Sequence, residues 1–192
     1  FTGNGQMKIT LFTSNQPRHI SLAKTLSNVC DEVYCIQECT TISPGEVMDF
    51  YKKSEVMQRY FSQVMAAEKK LFGEIAFANK KVRTLSIKSG DLNFIRKTTL
   101  SEALDSDIYV VFGSSYIKGW LIDFLVDKMA INIHMGLSPY YRGSSCNFWA
   151  LYDYKPEYVG ATIHKLSKGL DSGPMLYHCL PIYKGENPFE FT

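Results

Sequence analysis

The chain has 192 residues, 45% of them hydrophobic and 21% charged, and its formal net charge is +2. These values exclude a disordered or fibrous chain, and the near balance of charge lacks the basic excess of a dedicated nucleic-acid binder. No run of about 18 apolar residues is present, which argues against a membrane span. We expect one catalytic domain over residues 7–192, with residues 1–6 as a vector-derived segment and a C-terminal continuation left open.

Two strand signals and one helix signal open the chain. Apolar runs predict strands at 8–13 and 32–37, and apolar residues spaced by three and four predict a helix at 18–29 between them. This order is typical of a parallel sheet with right-handed crossovers. A longer helix is predicted at 46–71, followed by a strand at 81–87. The Met and aromatic stripe of that helix favours core packing, with a homodimer interface as the alternative.

The second half of the chain continues the alternation. We predict a strand at 107–112, a helix at 117–128, a short strand at 130–133, a helix at 145–152, and strands at 158–166 and 174–182 joined by a short loop. The predicted fold class is therefore α/β, a three-layer, mostly parallel, Rossmann-like sheet with a mixed edge. Polar loops at 13–18, 113–118 and 134–145 follow strands. Ligands of such sheets bind beyond the carboxyl ends of the strands.

Five cysteines are present, at positions 30, 35, 39, 146 and 179. An odd number without a secretory segment near the start predicts a reducing, cytoplasmic location. Cys30, Cys35 and Cys39 are close in sequence but form no Cys-x-x-Cys pair. We therefore expect packed thiols and no metal site.

Three side chains in the second half are candidates for catalysis. Asn132 and His134 flank Ile133 near the end of a predicted strand, and the two-residue period of a strand places both on one face. An amide there can stabilise a developing oxyanion, and an imidazole can move a proton. Asp171, in a glycine-bracketed turn, would pair with His134 and favour its charged form. The alternatives are a core Asn/His pair and an ordinary Asp turn.

Four motifs in order carry a resemblance to a known family: Asn132-x-His134, the segment 137–143 (LSPYYRG), the segment 160–164 (GATIH) and the segment 169–173 (GLDSG). Together they resemble the formyltransferases that use N10-formyltetrahydrofolate. The resemblance covers residues 107–182, with a weaker match at 8–26. Within that family the segment 139–151 is most similar to bacterial enzymes that formylate nucleotide-linked amino sugars for O-antigen and related surface polysaccharides.

The resemblance implies a role for each matched position. Its catalytic set falls on Asn132, His134 and Asp171. The residues expected to hold the formyl donor are Ser115, Tyr116, Ile117, Lys118, Gly169 and Leu170. The residues expected at the acceptor side are Ser14, Asn15, Arg18, Met135, Gly136, Leu137 and Tyr141. Roles for His19 and His178 are not assigned, and for His164 a structural role is favoured over a catalytic one.

The implied reaction moves a formyl group from N10-formyltetrahydrofolate to the amine of a nucleotide-linked 4-amino-4,6-dideoxysugar, without a metal. The partner is then a small molecule, neither a nucleic acid nor a membrane. Glycinamide ribonucleotide is the alternative acceptor, although the loop at 13–18 lacks the glycines of those enzymes. Further alternatives are a methionyl-tRNA formyltransferase-like domain, which length and charge disfavour, and a non-catalytic folate- or nucleotide-binding domain.

Overall fold

A computed structural model describes residues 6–40, 54–73 and 76–192. The first part of the predicted helix at 46–71 therefore lies outside the described residues. Within the described parts, no helix is both long and apolar enough to cross a lipid bilayer.

Seven strands form one sheet. They are β1 (Lys8–Ser14), β2 (Glu32–Cys39), β3 (Val82–Lys88), β4 (Ile108–Phe112), β5 (Ile131–His134), β6 (Ala161–Lys165) and β7 (Met175–Cys179). Their order across the sheet is β3-β2-β1-β4-β5-β6-β7. The first five run parallel, and β6 and β7 are antiparallel to their neighbours. The predicted α/β sheet with a mixed edge is confirmed.

The helices flank this sheet. They are α1 (Pro17–Ser27), α2 (Glu55–Phe72), α3 (Gly119–Asp127), α4 (Cys146–Tyr152) and α5 (Pro188–Phe191). Helix α3 begins two residues later than predicted, because the backbone of Lys118 is still extended. A short 3-10 turn at Asp91–Phe94 lies where the sequence predicts a turn and a helix start at 89–91. Further 3-10 turns at Lys97–Leu100 and Pro156–Tyr158 have no counterpart among the predicted helices.

The two faces of the sheet bury separate apolar cores. Phe12 packs on one face with Leu121 and Leu125 of α3, whereas Leu11 packs on the other with Ala23 of α1. Neighbouring strand residues point to opposite faces, so continuous apolar strands supply both layers. For this reason the strands appear in the sequence as continuous apolar runs and not as an alternation of apolar and polar residues.

Part of the aromatic stripe on α2 packs within the chain. The Tyr60 ring lies edge-on to Phe148 at 6.5 Å and to Phe189 at 5.5 Å between ring centroids. Val56 and Met57 near the start of the helix remain exposed. Core packing is therefore the role of the Tyr60 part of the stripe, and the homodimer interface stays a prediction.

All five cysteines are free thiols, and Cys30, Cys35 and Cys146 are buried. Burial, with a smaller effect of neighbouring Cys39, raises the pKa of Cys35 to about 12, so this thiol is unreactive at neutral pH. Within residues 6–40, 54–73 and 76–192, no three His, Cys, Asp or Glu side chains are arranged so that they could hold a metal ion.

A buried carboxylate connects the loops at the carboxyl end of the sheet. Glu38, near the end of β2, is 2% exposed. It accepts hydrogen bonds from the Gly90 N–H at 2.8 Å and from the Ser115 N–H and hydroxyl at 2.6 and 2.8 Å. These three donors satisfy the buried charge and fix the loop after β4, which the sequence predicts to hold the formyl donor.

Replacing Glu38 with Ala should lower the free energy of unfolding by about 2–4 kcal/mol, since buried donors lose their acceptor. Urea denaturation measures this directly. The control is Glu102→Ala, because Glu102 is an exposed partner of Arg83 and should contribute about 0–1 kcal/mol. Equal losses in the two variants would contradict the assigned role of Glu38.

Candidate active site

Strand β5 carries two of the three predicted catalytic side chains to the carboxyl end of the sheet. Asn132 and His134 both line the cavity described below. In the antiparallel pairing with β6, Asn132 lies opposite His164 and His134 lies opposite Thr162. The switch from parallel to antiparallel pairing thus brings polar side chains of two strands together on one face.

Asp171 reaches the same place from the loop after β6. Its Oδ2 lies 3.3 Å from His134 Nδ1 and accepts a 2.9 Å hydrogen bond from the Gly143 N–H. Its Oδ1 accepts a 3.2 Å hydrogen bond from Asn132 Nδ2. The three side chains that the sequence predicts to act together are therefore in direct contact.

The loop that carries Asp171 is held in an unusual conformation. Asp171 has φ 43°, in the left-handed region. A Cβ on Gly173 would lie only 1.7 Å from the carbonyl oxygen of Lys165. Glycine at position 173 therefore lets the loop fold back against β6 and present Asp171 to Asn132 and His134.

His164 is a fourth member of this cluster. It is 2% exposed. Its Nδ1 donates a 2.9 Å hydrogen bond to the carbonyl oxygen of Lys165, and its Nε2 lies 3.0 Å from Asn132 Nδ2. The sequence favoured a structural role and missed this placement. The available signal was the two-residue period of the GATIH segment, which places His164 on the same face as Thr162.

Asp171 and His164 shift each other's pKa towards the charged form. Asp171 Oδ1 lies 3.8 Å from His164 Nε2, and this carboxylate raises the pKa of His164 above its ordinary value although burial opposes the shift. Burial also opposes ionisation of Asp171, but His164, the Gly143 N–H and His134 together hold the pKa of Asp171 below its ordinary value. The pairing therefore favours a charged carboxylate and a more basic imidazole.

The second ring nitrogen of His134 is held by the loop at 135–145. His134 Nε2 lies 3.0 Å from the carbonyl oxygen of Tyr141 and 3.6 Å from Cys146 Sγ. Burial, followed by the nearby Asp171 charge, raises the pKa of the Cys146 thiol. Cys146 is therefore a neutral packing neighbour, and the orientation of His134 is fixed between Asp171 and Tyr141.

A cavity of about 600 Å³ opens in front of this cluster. Apolar side chains in its lining suit a flat ring system, namely those of Val111, Phe112, Ile117, Ile122, Leu166 and Leu170. The lining also contains five serines: Ser114, Ser115, Ser144, Ser145 and Ser167. A cavity of this size with few convergent polar groups is typical of a small-molecule site.

Most residues predicted to hold the formyl donor lie on this wall. Ser115, Tyr116, Ile117, Gly169 and Leu170 line the cavity. The loops carrying them are joined by the Tyr116 hydroxyl, which donates a 2.6 Å hydrogen bond to the carbonyl oxygen of Lys168.

Lys118 is not among the residues that line the cavity, and the backbone groups around it are already bonded. Asn93 Nδ2 donates to the Tyr116 carbonyl at 2.8 Å, and the Lys118 N–H donates to Asn93 Oδ1 at 2.7 Å. The side-chain amide of Asn93 thus occupies backbone groups of two residues, Tyr116 and Lys118, that the resemblance assigns to the formyl donor. Asn93 lies within the 3-10 turn Asp91–Phe94, and no motif in the sequence marks it.

Only some of the residues predicted at the acceptor side line the cavity. Arg18 and Met135 line the cavity, whereas Ser14, Asn15, Gly136, Leu137 and Tyr141 do not. The Asn15 side chain instead holds the backbone of Thr40. The Tyr141 hydroxyl donates to Asp153 at 2.8 Å, away from the cavity.

Gly136 and Leu137 have packing roles. A Cβ on Gly136 would lie 2.5 Å from Cys146 Cβ and 2.8 Å from His134 Nε2, so this glycine makes room for the imidazole. Leu137 is buried. The acceptor-side expectation for these two residues and for Ser14, Asn15 and Tyr141 therefore finds no support in the cavity wall.

Apart from Arg18 and His19, the residues that line the cavity lie within a segment that matches a known family. Residues 98–188 match the profile of the family described as formyl transferase. This segment contains Asn132, His134, His164 and Asp171, together with the loop that follows β4. The match covers fewer than half of the 192 residues and shows that this segment is similar to enzymes of the formyl-transfer class.

Individual relatives agree with that class. Over 96 residues the chain is 34% identical to the methionyl-tRNA formyltransferase of Desulforamulus reducens, covering 50% of this chain and 29% of the relative. Over 74 residues it is 39% identical to the methionyl-tRNA formyltransferase of Thermosynechococcus vestitus, covering 38% of this chain and 22% of the relative. The chain thus matches less than a third of the length of these curated relatives.

The fold is similar to that of a solved transformylase. Glycinamide ribonucleotide transformylase 1 from Symbiobacterium toebii superposes with a TM-score of 0.59 at 17% identity, covering 98% of this chain and 80% of that chain. This likeness establishes the α/β formyltransferase fold, which extends over strands outside the family match.

The Asp171→Asn variant should lower the pKa of His164, because it removes the carboxylate that stabilises the imidazolium. Titration of the imidazole ¹⁵N resonances in the purified protein measures the change. The matched control is Asp153→Asn, which removes the partner of Tyr141 and should leave the His164 titration unchanged. A His164 pKa that is the same in wild type and Asp171→Asn would contradict the coupling.

The pKa shifts of His164 and Asp171 predict how stability depends on pH. The pKa of His164 is raised in the folded protein. Its contribution to the free energy of unfolding is therefore complete below the ordinary pKa of histidine and is lost as the pH rises through the pKa of the folded state. The pKa of Asp171 is lowered in the folded protein. Its contribution to the free energy of unfolding is therefore present above the ordinary pKa of a carboxyl group and is lost as the pH falls through the pKa of the folded state.

Proposed function

We propose that this protein transfers a formyl group from N10-formyltetrahydrofolate to a primary amine of a small acceptor. The observation that carries the proposal is the contact of Asn132, His134 and Asp171 on the wall of a 600 Å³ cavity, inside the segment that matches the formyl transferase family. The apolar wall around Ile117 and Leu170 fits a flat, partly aromatic donor.

The bound donor supplies an activated formyl carbon and an amine leaving group. As the acceptor amine adds to that carbon, negative charge develops on the formyl oxygen and a proton must leave the amine nitrogen. The new C–N bond replaces the bond to N10, and the proton lost by the acceptor is finally carried by N10. The protein residues must therefore stabilise one negative oxygen and move one proton.

Asn132 is the proposed donor to that oxygen. In the present arrangement its Nδ2 faces both His164 Nε2 and Asp171 Oδ1, so both amide hydrogens are engaged while His164 Nε2 is unprotonated. A protonated Nε2 no longer accepts from Asn132. The raised pKa of His164 thus gives a route by which one amide hydrogen becomes available to the formyl oxygen.

His134 is the proposed proton carrier. Asp171 Oδ2 faces its Nδ1 at 3.3 Å and fixes the ring orientation. Its Nε2, now directed at the Tyr141 carbonyl, must exchange that partner for the reacting amine. Apo geometries of this kind commonly tighten only in the substrate complex.

For the acceptor we propose the amine of a nucleotide-linked 4-amino-4,6-dideoxysugar. The support is the resemblance of residues 139–151 and the five serines on the cavity wall, which suit a polyhydroxylated ligand. Methionyl-tRNA is the second candidate, because the two curated relatives described above are methionyl-tRNA formyltransferases.

An assay with N10-formyltetrahydrofolate and three acceptors tests the proposal. The acceptors are dTDP-4-amino-4,6-dideoxyglucose, glycinamide ribonucleotide and methionyl-tRNA. Turnover of the sugar nucleotide alone supports the proposed acceptor, whereas turnover of either other acceptor in its place refutes it. Folate binding without any turnover would favour a non-catalytic binding domain.

The His134→Gln variant should lose at least about 100-fold in kcat, since a positioned proton carrier contributes about 10²–10⁴-fold. Steady-state kinetics with the accepted substrate give this value, and thermal denaturation checks that the fold is intact. The matched control is His178→Gln on β7, whose ring contacts the Ser138 carbonyl outside the cluster. A fully active, folded His134→Gln enzyme would refute the assignment.

Asn93→Ala should strengthen the binding of tetrahydrofolate about fivefold, because it frees the Tyr116 carbonyl and the Lys118 N–H, and one hydrogen bond is worth about 1 kcal/mol. Isothermal titration with tetrahydrofolate measures the Kd. The control is Asn79→Ala, which lies in the turn before β3. An unchanged or weaker affinity in Asn93→Ala means that these backbone groups are not the pteridine contacts.

A further inference from the structure

One buried polar side chain on the cavity wall has no role in the reaction described above. His19 is the third residue of α1 and is 2% exposed. It lines the same cavity as Asn132 and His134. Its ring also packs at a tilt against Phe112, with 4.9 Å between the ring centroids.

One nitrogen of this ring has a fixed task. The Gln16 N–H donates to His19 Nδ1 at 3.3 Å, in the reciprocal arm of a capping box at the start of α1. A nitrogen that accepts a hydrogen bond carries no proton, so the neutral ring bears its proton on Nε2. Burial, and to a smaller degree the Arg18 charge, lowers the pKa of His19 to about 3, which keeps the ring neutral at physiological pH.

The other nitrogen lies close to the backbone of Gly113, which also lines the cavity. An ideal Cβ on Gly113 would lie 2.3 Å from His19 Nε2, so only a glycine at the end of β4 admits the ring in this position. No hydrogen bond joins Nε2 to any residue in the described parts of the chain. An N–H donor on a cavity wall without a protein acceptor favours a cavity occupant that offers an oxygen.

The charges nearby favour an uncharged oxygen. Arg18, adjacent to His19 and also on the cavity wall, is paired with the mostly buried carboxylate of Glu68. The His19 ring itself is neutral. The other groups near this part of the wall are hydroxyls, among them Ser114 and Ser115 after β4. These groups suit a hydroxyl or ring oxygen better than a phosphate, which would call for unpaired cations.

We propose that His19 Nε2 donates a hydrogen bond to an uncharged oxygen of the acceptor, such as a hydroxyl of its sugar, and thereby determines acceptor specificity. This inference rests on the proposed function for the identity of the acceptor. The existence of the donor itself rests only on the packing around His19.

Imidazole ¹⁵N spectra of the unliganded protein test the donor independently of any activity. The expected result is a His19 ring that carries its proton on Nε2 and does not titrate between pH 5 and 8. A ring with its proton on Nδ1, or one that titrates near its ordinary pKa, overturns the proposal even if the protein is an active formyltransferase.

Two substitutions test the specificity role. His19→Phe keeps a ring and removes the donor, whereas His19→Gln places an amide N–H near the position of Nε2. With dTDP-4-amino-4,6-dideoxyglucose we expect His19→Phe to raise KM about 10-fold with kcat within about threefold, and His19→Gln to restore most of the affinity. The Kd for tetrahydrofolate should be unchanged in both variants, and thermal denaturation reports on their folding.

The outcomes separate the two proposals. An equal rise in KM for both variants, or a loss confined to kcat, refutes a donor role for His19. If the wild-type protein turns over none of the three acceptors, the proposed function fails. In that case the spectra still decide whether His19 presents a neutral N–H to the cavity.

Discussion

The arrangement of the site depends on one buried carboxylate, Asp171. It accepts hydrogen bonds from Asn132 and from the Gly143 N–H, and it faces both His134 and His164. A charge at this depth is stable only with several donors and cations around it. Asp171 therefore sets the orientation of each neighbour, and the neighbours in turn hold Asp171 in its charged form.

The topology of the sheet makes that convergence possible. Strand β5 is the last parallel strand, and β6 pairs with it in the opposite direction. Asn132 and His134 thus stand beside His164 and Thr162, and the loop beyond β6 returns to the carboxyl end of β5. Glycine at position 173 permits this return, because any side chain there would collide with the Lys165 carbonyl.

The unliganded site has its hydrogen-bonding groups engaged within the protein. Asn132 bonds to His164 and Asp171, the Tyr141 carbonyl faces His134, and Asn93 bonds to the loop after β4. Substrates must exchange these partners. His19 also lines the cavity, and no hydrogen bond joins its Nε2 to a described residue. Asn132, the Tyr141 carbonyl and Asn93 therefore already have partners within the protein, whereas His19 Nε2 has none among the described residues.

The sequence by itself determined the α/β class and the bounds of most strands to within about three residues, because apolar runs and the two-residue period are local properties. It predicted the trio of Asn132, His134 and Asp171 through the resemblance to the formyltransferases. Only the tertiary structure showed that the three side chains are in contact and decided the rest. His164, Asn93 and His19 join the site through strand register, a 3-10 turn and a close approach to Gly113. Asn15 and Tyr141 leave it because Thr40 and Asp153 lie nearer to them. These contacts join residues far apart in the chain, and no local pattern encodes them.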